Sequence, residues 1–594
     1  MLLGKHINKY YLKYAIFFII GIIALILVDY YQLLIPEYLG VIVDGVKDGN
    51  TLNFTSIIID VVIVGVVLCL GRIVWRLTLI TTSKKIEANI RKEMFEKSER
   101  LSQKFYHENK VGTVMAWFTN DLETIEEYFG WGTIMLIDAV FMSIMVVVKM
   151  VSLNLALALI TAVPILLIIV WGMLVEKFMS MKWDSRQKAF DSLYDFTQEN
   201  FTGIRVIKAF VKENKEIHTF AKIAKKNRDV NIDFVRTSIL FDVFIEIICA
   251  LILTLLIGFG GYFVFALSTD TPVVLFGKEI SLTAGMLMEF VGYFDYLIWP
   301  LIALGQIVSM RSRAKASLKR VSEFLDQDED IKNPENPVVL SDVKGRITFN
   351  NFTFSYPGSE IPSLTNVSFE INPGEVVGVV GKIGCGKTTL VNSLLRLYNV
   401  EENSILIDGV DIMKCDIPSV RDAISYVPQD NFLFSDKVRN NIAFSNAELE
   451  FEKIEMAARF ADVHDNILGF TEGYDTISGE RGVTLSGGQK QRLSIARAYV
   501  KDAPIMIMDD SVSAVDVKTE ETILHNIHKH RSGKTTIVIA SRVSTVSNMD
   551  KIIVLNEGKL EAFDTHENLI KISPTYQKMV YLQQLEKEIE GGAN

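Results

Sequence analysis

Cysteine is scarce in this chain: Cys69, Cys249, Cys385 and Cys415 are the four thiols in 594 residues. So few and so scattered, they exclude a disulfide framework and a zinc site. They fit a reducing compartment around whatever part is soluble. An excess of positive charge is also missing. The 61 Lys and Arg against 71 Asp and Glu give a net charge of −10, which argues against nucleic acid as the main partner. A removable leader is not expected either. Lys5, Lys9 and Lys13 precede an apolar run, as in a signal peptide, but the run is too long and no small-residue cleavage site stands out. It reads as an uncleaved first span.

What the chain has in abundance is apolar sequence: 49% hydrophobic residues and a mean hydropathy of +0.26. Most long apolar runs precede residue 310 or so, which divides the chain into a membrane half and a soluble half. A helix needs about 20 apolar residues to cross a bilayer. Six stretches qualify, at roughly 15–37, 56–81, 131–151, 155–176, 239–266 and 283–306. The outer links at 41–55, 152–154 and 268–281 are short. The inner links are long, periodic as helices would be, and basic. One carries Lys84, Lys85, Arg91 and Lys92, the other Lys208, Lys212, Lys215 and Lys222. This alternation predicts a plasma (inner) membrane protein with its N-terminus and soluble half in the cytoplasm.

Ionisable residues inside the spans are Asp60, Arg72, Asp138, Lys149, Asp242, Glu246, Glu289 and Asp295. Such groups face a bundle interior or a wet cavity. Asp242 and Glu246, four apart, share a helix face. Two readings stand: an acidic patch that attracts cationic substrates, or groups that sit near span ends or pair with Arg or Lys of another helix.

The soluble half follows a polar, proline-broken linker, Asp326-Gln-Asp-Glu-Asp330 and Asn333-Pro-Glu-Asn-Pro337. From Ile347 onward strands alternate with helical stretches, which predicts an α/β core. Gly381-Lys-Ile-Gly-Cys-Gly-Lys-Thr388 lies between the apolar run Val376–Val380 and the helical run Thr389–Leu397. That is a phosphate loop in its required strand–loop–helix context. Its glycines let N–H groups approach phosphate. Lys387 is expected on the β- and γ-phosphates, and the Thr388 hydroxyl on Mg²⁺. Cys385 sits between the last two glycines, where a helix N-terminus can lower a thiol pKa. Ile505-Met-Ile-Met-Asp509 reads as a strand ending in a magnesium Asp.

With Leu485-Ser-Gly-Gly-Gln489 between these two motifs, the chain resembles the ATP-binding cassette (ABC) proteins, and LSGGQ is that family's signature. The resemblance implies a six-helix, all-α membrane domain at 1–325, a linker at 326–343, an α/β phosphate-loop ATPase at 344–582 and a tail at 583–594. Fusion of spans to a C-terminal cassette resembles exporters, as do Gly112-Thr-Val-Met with Asn120-Asp121, and Gly203-Ile-Arg-Val-Ile-Lys-Ala-Phe210. It implies ATP and Mg²⁺ as cofactors. ATP would be held by Tyr356, Gly381, Gly384, Gly386, Lys387, Thr388, Thr389 and Gln429, with Tyr356 stacking on adenine. Mg²⁺ would be held by Thr388, Gln429 and Asp509. Ser486, Gly487, Gly488 and Gln489 would receive the γ-phosphate of a second cassette, and Ser513-Ala-Val-Asp516 would touch that cassette.

Two positions depart from the family pattern. Asp510 stands where a Glu polarises the attacking water, and Ser541 where a His follows the strand ending in Ala540. Aspartate is one methylene short, and serine offers neither charge nor ring nitrogen. Both defects fall in residues this chain gives to its own ATP site, while its signature is intact. The pattern resembles the degenerate-site subunit of bacterial heterodimeric multidrug exporters. It implies a different half-transporter as partner, with lipid and a small, amphiphilic drug-like or lipid-like substrate. A homodimeric lipid or peptide exporter, or a regulatory subunit that binds ATP without transport, are the alternatives.

Overall fold

The computed structural model describes residues 4–47, 54–269, 271, 273–275, 278, 279, 281–479, 482, 484–513 and 515–591. The expected outer links 41–55 and 268–281, and the run from Ser513 to Asp516, lie partly outside the described residues. Contacts divide the chain into two units. The first is Met1–Lys97 with Gly112–Gln327, and the second is Ser98–Val111 with Asp328–Asn594. The division at 327/328 falls within the linker expected at 326–343.

The first unit is helical. In chain order its main helices, with the short α5 that belongs to the second unit, are α1 (Ala15–Gln32), α2 (Leu34–Lys47), α3 (Phe54–Trp75), α4 (Thr81–Arg100), α5 (Gln103–Glu108), α6 (Thr133–Leu153), α7 (Leu155–Thr202), α8 (Ile204–Ala209), α9 (Glu213–Ser268) and α10 (Ala284–Leu325). Among the described residues, Ala15–Val46, Thr55–Arg100, Val111–Leu153, Glu213–Ser268 and Ala284–Leu325 are long and apolar enough to cross a membrane. The sixth expected span coincides with apolar Leu155–Ile168 at the start of α7. The helices do not stop where the apolar runs stop. α9 has 56 residues, which at 1.5 Å per residue is roughly 84 Å, against ~30 Å of hydrocarbon. The polar inner links are thus continuations of the spans.

Several ionisable groups in the spans find partners. Lys149 Nζ donates to Glu37 at 2.7 Å, Trp299 Nε1 to Asp138 at 3.0 Å, and Tyr293 to Glu289 at 2.7 Å. Asp242 and Glu246 have no ion pair or hydrogen bond among the described residues, so the pairing reading is not met for them. Asp121, in the exporter-like segment, is buried and accepts from Ser317 Oγ at 2.7 Å and Arg320 Nε at 2.9 Å on α10.

The second unit is built on two sheets. β1 (Ile347–Phe354), β2 (Leu364–Ile371), β4 (Ile405–Ile407) and β5 (Val410–Asp411) form an antiparallel sheet in the order β2-β1-β4-β5. The larger, mostly parallel sheet takes β3 (Val376–Gly381), β6 (Ile424–Val427), β7 (Ile505–Asp509), β8 (Thr535–Ile539), β9 (Lys551–Asn556) and β10 (Lys559–Asp564), in the order β10-β9-β3-β8-β7-β6. Its central strands β3, β7 and β8 are largely apolar and buried along their whole length, since both faces are covered. Along β7, Ile505 and Ile507 enter one core while Met506 and Met508 enter the other; along β8, Ile537 and Ile539 alternate with Val538 in the same way.

α5 and its flanks complete this unit from far upstream in the sequence. Phe105 is buried, His107 Nδ1 lies 3.3 Å from the Tyr398 hydroxyl, and Ser102 Oγ donates to Asp330 at 3.2 Å. At the other end, the boundary expected at 582/583 falls inside a continuous helix, Pro574–Gly591.

Candidate functional site

Four neighbouring strands deliver the site residues to one edge of the sheet. β3, β8, β7 and β6 are adjacent and parallel, with Ile539 level with Val379 and with Asp509. Their C-terminal ends therefore place Gly381, Ser541, Asp509 with Asp510, and Gln429 side by side, where ligands bind in open α/β sheets.

The loop after β3 leads into α11 (Lys387–Leu394). Gly386 caps that helix at φ +97°, and a Cβ there would meet Leu364 Cδ2 at 2.6 Å and Ser363 O at 2.8 Å. No other residue fits so tight a left-handed corner. Gly384 is also left-handed, at φ +82°, but its Cβ direction is open. The loop is thus packed on one side and clear on the other, as a phosphate cradle must be. Lys387 Nζ donates to Gly381 O at 2.9 Å and Lys382 O at 3.1 Å, so the ammonium folds over the loop that its charge would help fill. Tyr356 lies beside the loop. Its hydroxyl is 3.0 Å from Thr389 Oγ1, and its ring meets Phe354 and Tyr398 edge-on.

Cys385 differs from its expectation. It is buried, and burial pushes its thiol pKa up, outweighing the pull of Lys387. The helix N-terminus does not make this thiol reactive, because the side chain points into the core beneath the loop.

Asp509 ends β7 at 1% exposure. Burial raises its carboxyl pKa, although hydrogen bonding to Thr388 opposes the shift. Its Oδ2 is buried without a hydrogen-bond partner, the condition of a carboxylate built to meet a cation. Among the described residues no three His, Cys, Asp or Glu side chains cluster as a metal site. A divalent ion here would take its remaining ligands from hydroxyl, amide and phosphate oxygens, a set that suits Mg²⁺. Thr388 is in contact with Asp509. Gln429 is exposed, and its side chain has no hydrogen bond among the described residues.

The two departures from the family pattern touch each other. Ser541 Oγ lies 3.4 Å from Asp510 Oδ1. Asp510 adopts φ +46°, a left-handed conformation that Asp tolerates better than most residues. Its backbone is fixed by Ile539 O, Gln491 Nε2 and Ser513 Oγ. Gln583 was not expected here. Its Oε1 accepts from Val543 N at 2.8 Å and its Nε2 reaches Ser541 O at 3.5 Å, so the C-terminal helix holds the Ser541 loop.

The signature begins α12 (Gly487–Val500) with a complete capping box: Ser486 Oγ accepts from Gln489 N at 3.3 Å, and Gln489 Oε1 from Ser486 N at 2.9 Å. Ser486 and Gly487 are exposed, with nothing of this chain within 4 Å of the Gly487 Cβ direction. Gly488 follows on the same first turn.

Residues 18–301 match the ABC transporter transmembrane region family, and residues 364–513 match the ABC transporter family. The chain is 35% identical to the multidrug resistance-like ATP-binding protein MdlA of Escherichia coli, covering 96% of this chain and 95% of MdlA. It is 32% identical to the probable multidrug resistance ABC transporter ATP-binding/permease protein YheI of Bacillus subtilis, covering 100% and 98%. A solved structure of a bacterial Atm1-family ABC exporter with ATP bound superposes with a TM-score of 0.78 at 25% identity, covering 97% of this chain and 98% of that one. With a nucleotide cradle on one sheet edge, apolar helices long enough to span a bilayer and relatives matched end to end, the chain belongs to the ABC exporters, a membrane domain fused to an ABC-type ATPase.

Proposed function

We propose that this chain is one half of a heterodimeric exporter of small amphiphilic molecules, supplying a weak ATP site of its own and an intact signature to its partner's site. The contact between Asp510 and Ser541 carries this reading. Both substitutions fall at one point of one site, where the attacking water and the γ-phosphate would lie. The Asp510 carboxylate stops about 1.5 Å short of a Glu, and misplacement of ~1 Å can cost ~10²-fold in rate. Ser541 brings no charge to the phosphate. The capped, exposed signature shows no such loss.

In this reading Lys387 neutralises the β- and γ-phosphates, and Tyr356 stacks on adenine. Thr388, Gln429 and Asp509 would hold Mg²⁺, which when bound offsets phosphate charge. Closure of the two cassettes on ATP, and hydrolysis at the partner's site, would drive substrate outward. The basic inner links support a plasma membrane location with cytoplasmic cassettes. The names of MdlA and YheI support a drug-like substrate. That of the ATP-dependent lipid A-core flippase of Syntrophus aciditrophicus, 33% identical over 85% of this chain, supports an amphiphile. The test is ATP turnover by the purified chain, alone and mixed with a second half-transporter that carries Glu and His at these two positions. Little turnover alone and restoration in the mixture are expected; turnover of about 1 s⁻¹ or more by the pure chain overturns the reading.

A further inference from the structure

The loop that carries Ser541 is held at both ends and bare in the middle. Upstream, Ala540 N donates to Val379 O at 3.1 Å, which continues the sheet. Downstream, Val543 and Val546 are buried in a short helix, Val543–Val546, and Thr545 Oγ1 donates to the buried carboxylate of Glu520. Ser541 and Arg542 between them are exposed. The short helix lacks a cap of its own, because Arg542 at its N-cap position makes no side-chain capping bond. The first N–H groups of a helix have no intrahelical partner and need an acceptor from elsewhere.

For Val543 that acceptor comes from 40 residues downstream. Gln583 Oε1 accepts from Val543 N at 2.8 Å, while its Nε2 reaches Ser541 O at 3.5 Å. This is the work of a Ser or Asn N-cap, done by a residue of another helix. Gln583 is in turn placed by the C-terminal helix, Pro574–Gly591. Ser573 Oγ and Thr575 N donate to Glu561 Oε1 at 2.5 and 3.0 Å and pin the helix start. Tyr576 is buried with its hydroxyl 2.6 Å from His566 Nδ1, and Met579 and Val580 pack against the core. Tyr576, Val580 and Gln583 lie at i, i+4 and i+7, on one helix face. A packed stripe thus ends in one polar side chain aimed at the loop.

We infer that Gln583 is a positioning residue of the ATP site. From beyond the cassette's expected end at 582, it fixes where the Ser541 loop stands against the γ-phosphate. The inference rests on the proposed reading that this loop faces that phosphate. Serine is shorter than the His of the family pattern, so its reach depends more on where its backbone is held. Ser541 Oγ lies 3.4 Å from Asp510 Oδ1, so the same clamp sets the spacing of the two departures.

The test uses the purified full chain in nanodiscs with Mg²⁺. Its ligands are AMP-PNP, which has a γ-phosphate and is not hydrolysed, and ADP, which has none. Gln583→Met keeps the length and helix propensity of the side chain and removes its oxygen. It should weaken AMP-PNP binding about fivefold or more, the scale of one hydrogen bond left unmade, and ADP binding less than about twofold. Gln583→Glu keeps an acceptor for Val543 N and should stay within about twofold of the unsubstituted chain for both. Equal loss of both nucleotides in Gln583→Met means a merely structural role, and loss of neither means an idle contact. Each overturns the inference, as does a loss in Gln583→Glu as large as in Gln583→Met. Hydrogen exchange in the unsubstituted chain needs no variant to fold. The Val543 amide should exchange slowly without nucleotide, more slowly with AMP-PNP, and no more slowly with ADP. Exchange at the rate of open chain, or equal protection by ADP, overturns the inference. ATP turnover by the pure chain faults the weak-site reading and leaves these binding results standing.

Discussion

On the proposed reading, in which Asp510 and Ser541 weaken this chain's ATP site, Asp510→Glu combined with Ser541→His is expected to give a working one. The added methylene carries the carboxylate forward by about 1.5 Å, and recovering ~1 Å of placement is worth ~10²-fold, or about 2.7 kcal/mol of barrier. The Ser541 to Asp510 contact of 3.4 Å lies beyond the usual 2.5–3.0 Å of an O–H···O bond, so little is lost by breaking it. One term works against the gain. Asp510 sits at φ +46°, where Asp is tolerated and longer side chains cost up to ~1 kcal/mol more. The remainder, roughly tenfold or more, should appear as ATP turnover by the purified full chain in nanodiscs, with ATP affinity measured alongside. The same double change on a Lys387→Ala background should stay inactive. A gain below about twofold with ATP affinity unchanged would refute the argument that these two side chains limit the site.

Three further outcomes are expected. In the assembled transporter, Ser486→Arg should abolish most ATPase activity and Asp510→Ala should change it less than about threefold, because in the proposed assignment the first blocks the partner's site and the second serves the weak one; equal losses would contradict that assignment. Burial raises the Asp509 carboxyl, so the folded cassette holds that proton more tightly than the unfolded chain and the ionised form costs stability near neutral pH. Asp509→Asn should therefore raise the nucleotide-free melting temperature, by ~2–4 °C per kcal/mol relieved in a domain of this size, and lose the extra stabilisation by Mg-ATP; a lower melting temperature without nucleotide would count against it. Burial also raises the Cys385 thiol. Maleimide should label it far more slowly than the same thiol in denatured chain, with a rate that climbs past pH ~8.5; fast labelling at neutral pH would mean the loop opens.

Much of the cassette was legible because local sequence and global fold agree there. The all-apolar β3, and β7 with its apolar run up to Asp509, announce a sheet covered on both faces, and the glycines at 381, 384 and 386 announce a loop that needs open backbone. The meeting of Asp510 with Ser541 was legible only through the resemblance, since thirty-odd residues separate them and strand pairing alone joins them. Gln583 was not legible. A polar residue on a polar helix carries no sign of the loop it clamps. In the spans, the spacing of Asp242 and Glu246 drew attention, whereas Asp29, a single carboxyl in an apolar run and hydrogen-bonded to Asp138 of another helix, did not. Which carboxyls meet depends on which helices touch, and periodicity within one helix is silent about its neighbours.

The membership of Ser98–Val111 in the cassette's unit has a consequence for synthesis. This segment leaves the ribosome on the order of 200 residues before the rest of its unit begins. At about 5–20 residues per second, it waits roughly 10–40 s with Phe105 uncovered. The cassette's last surface is thus sealed by the chain's early product, and a copy begun at residue 328 would be born with an open seam.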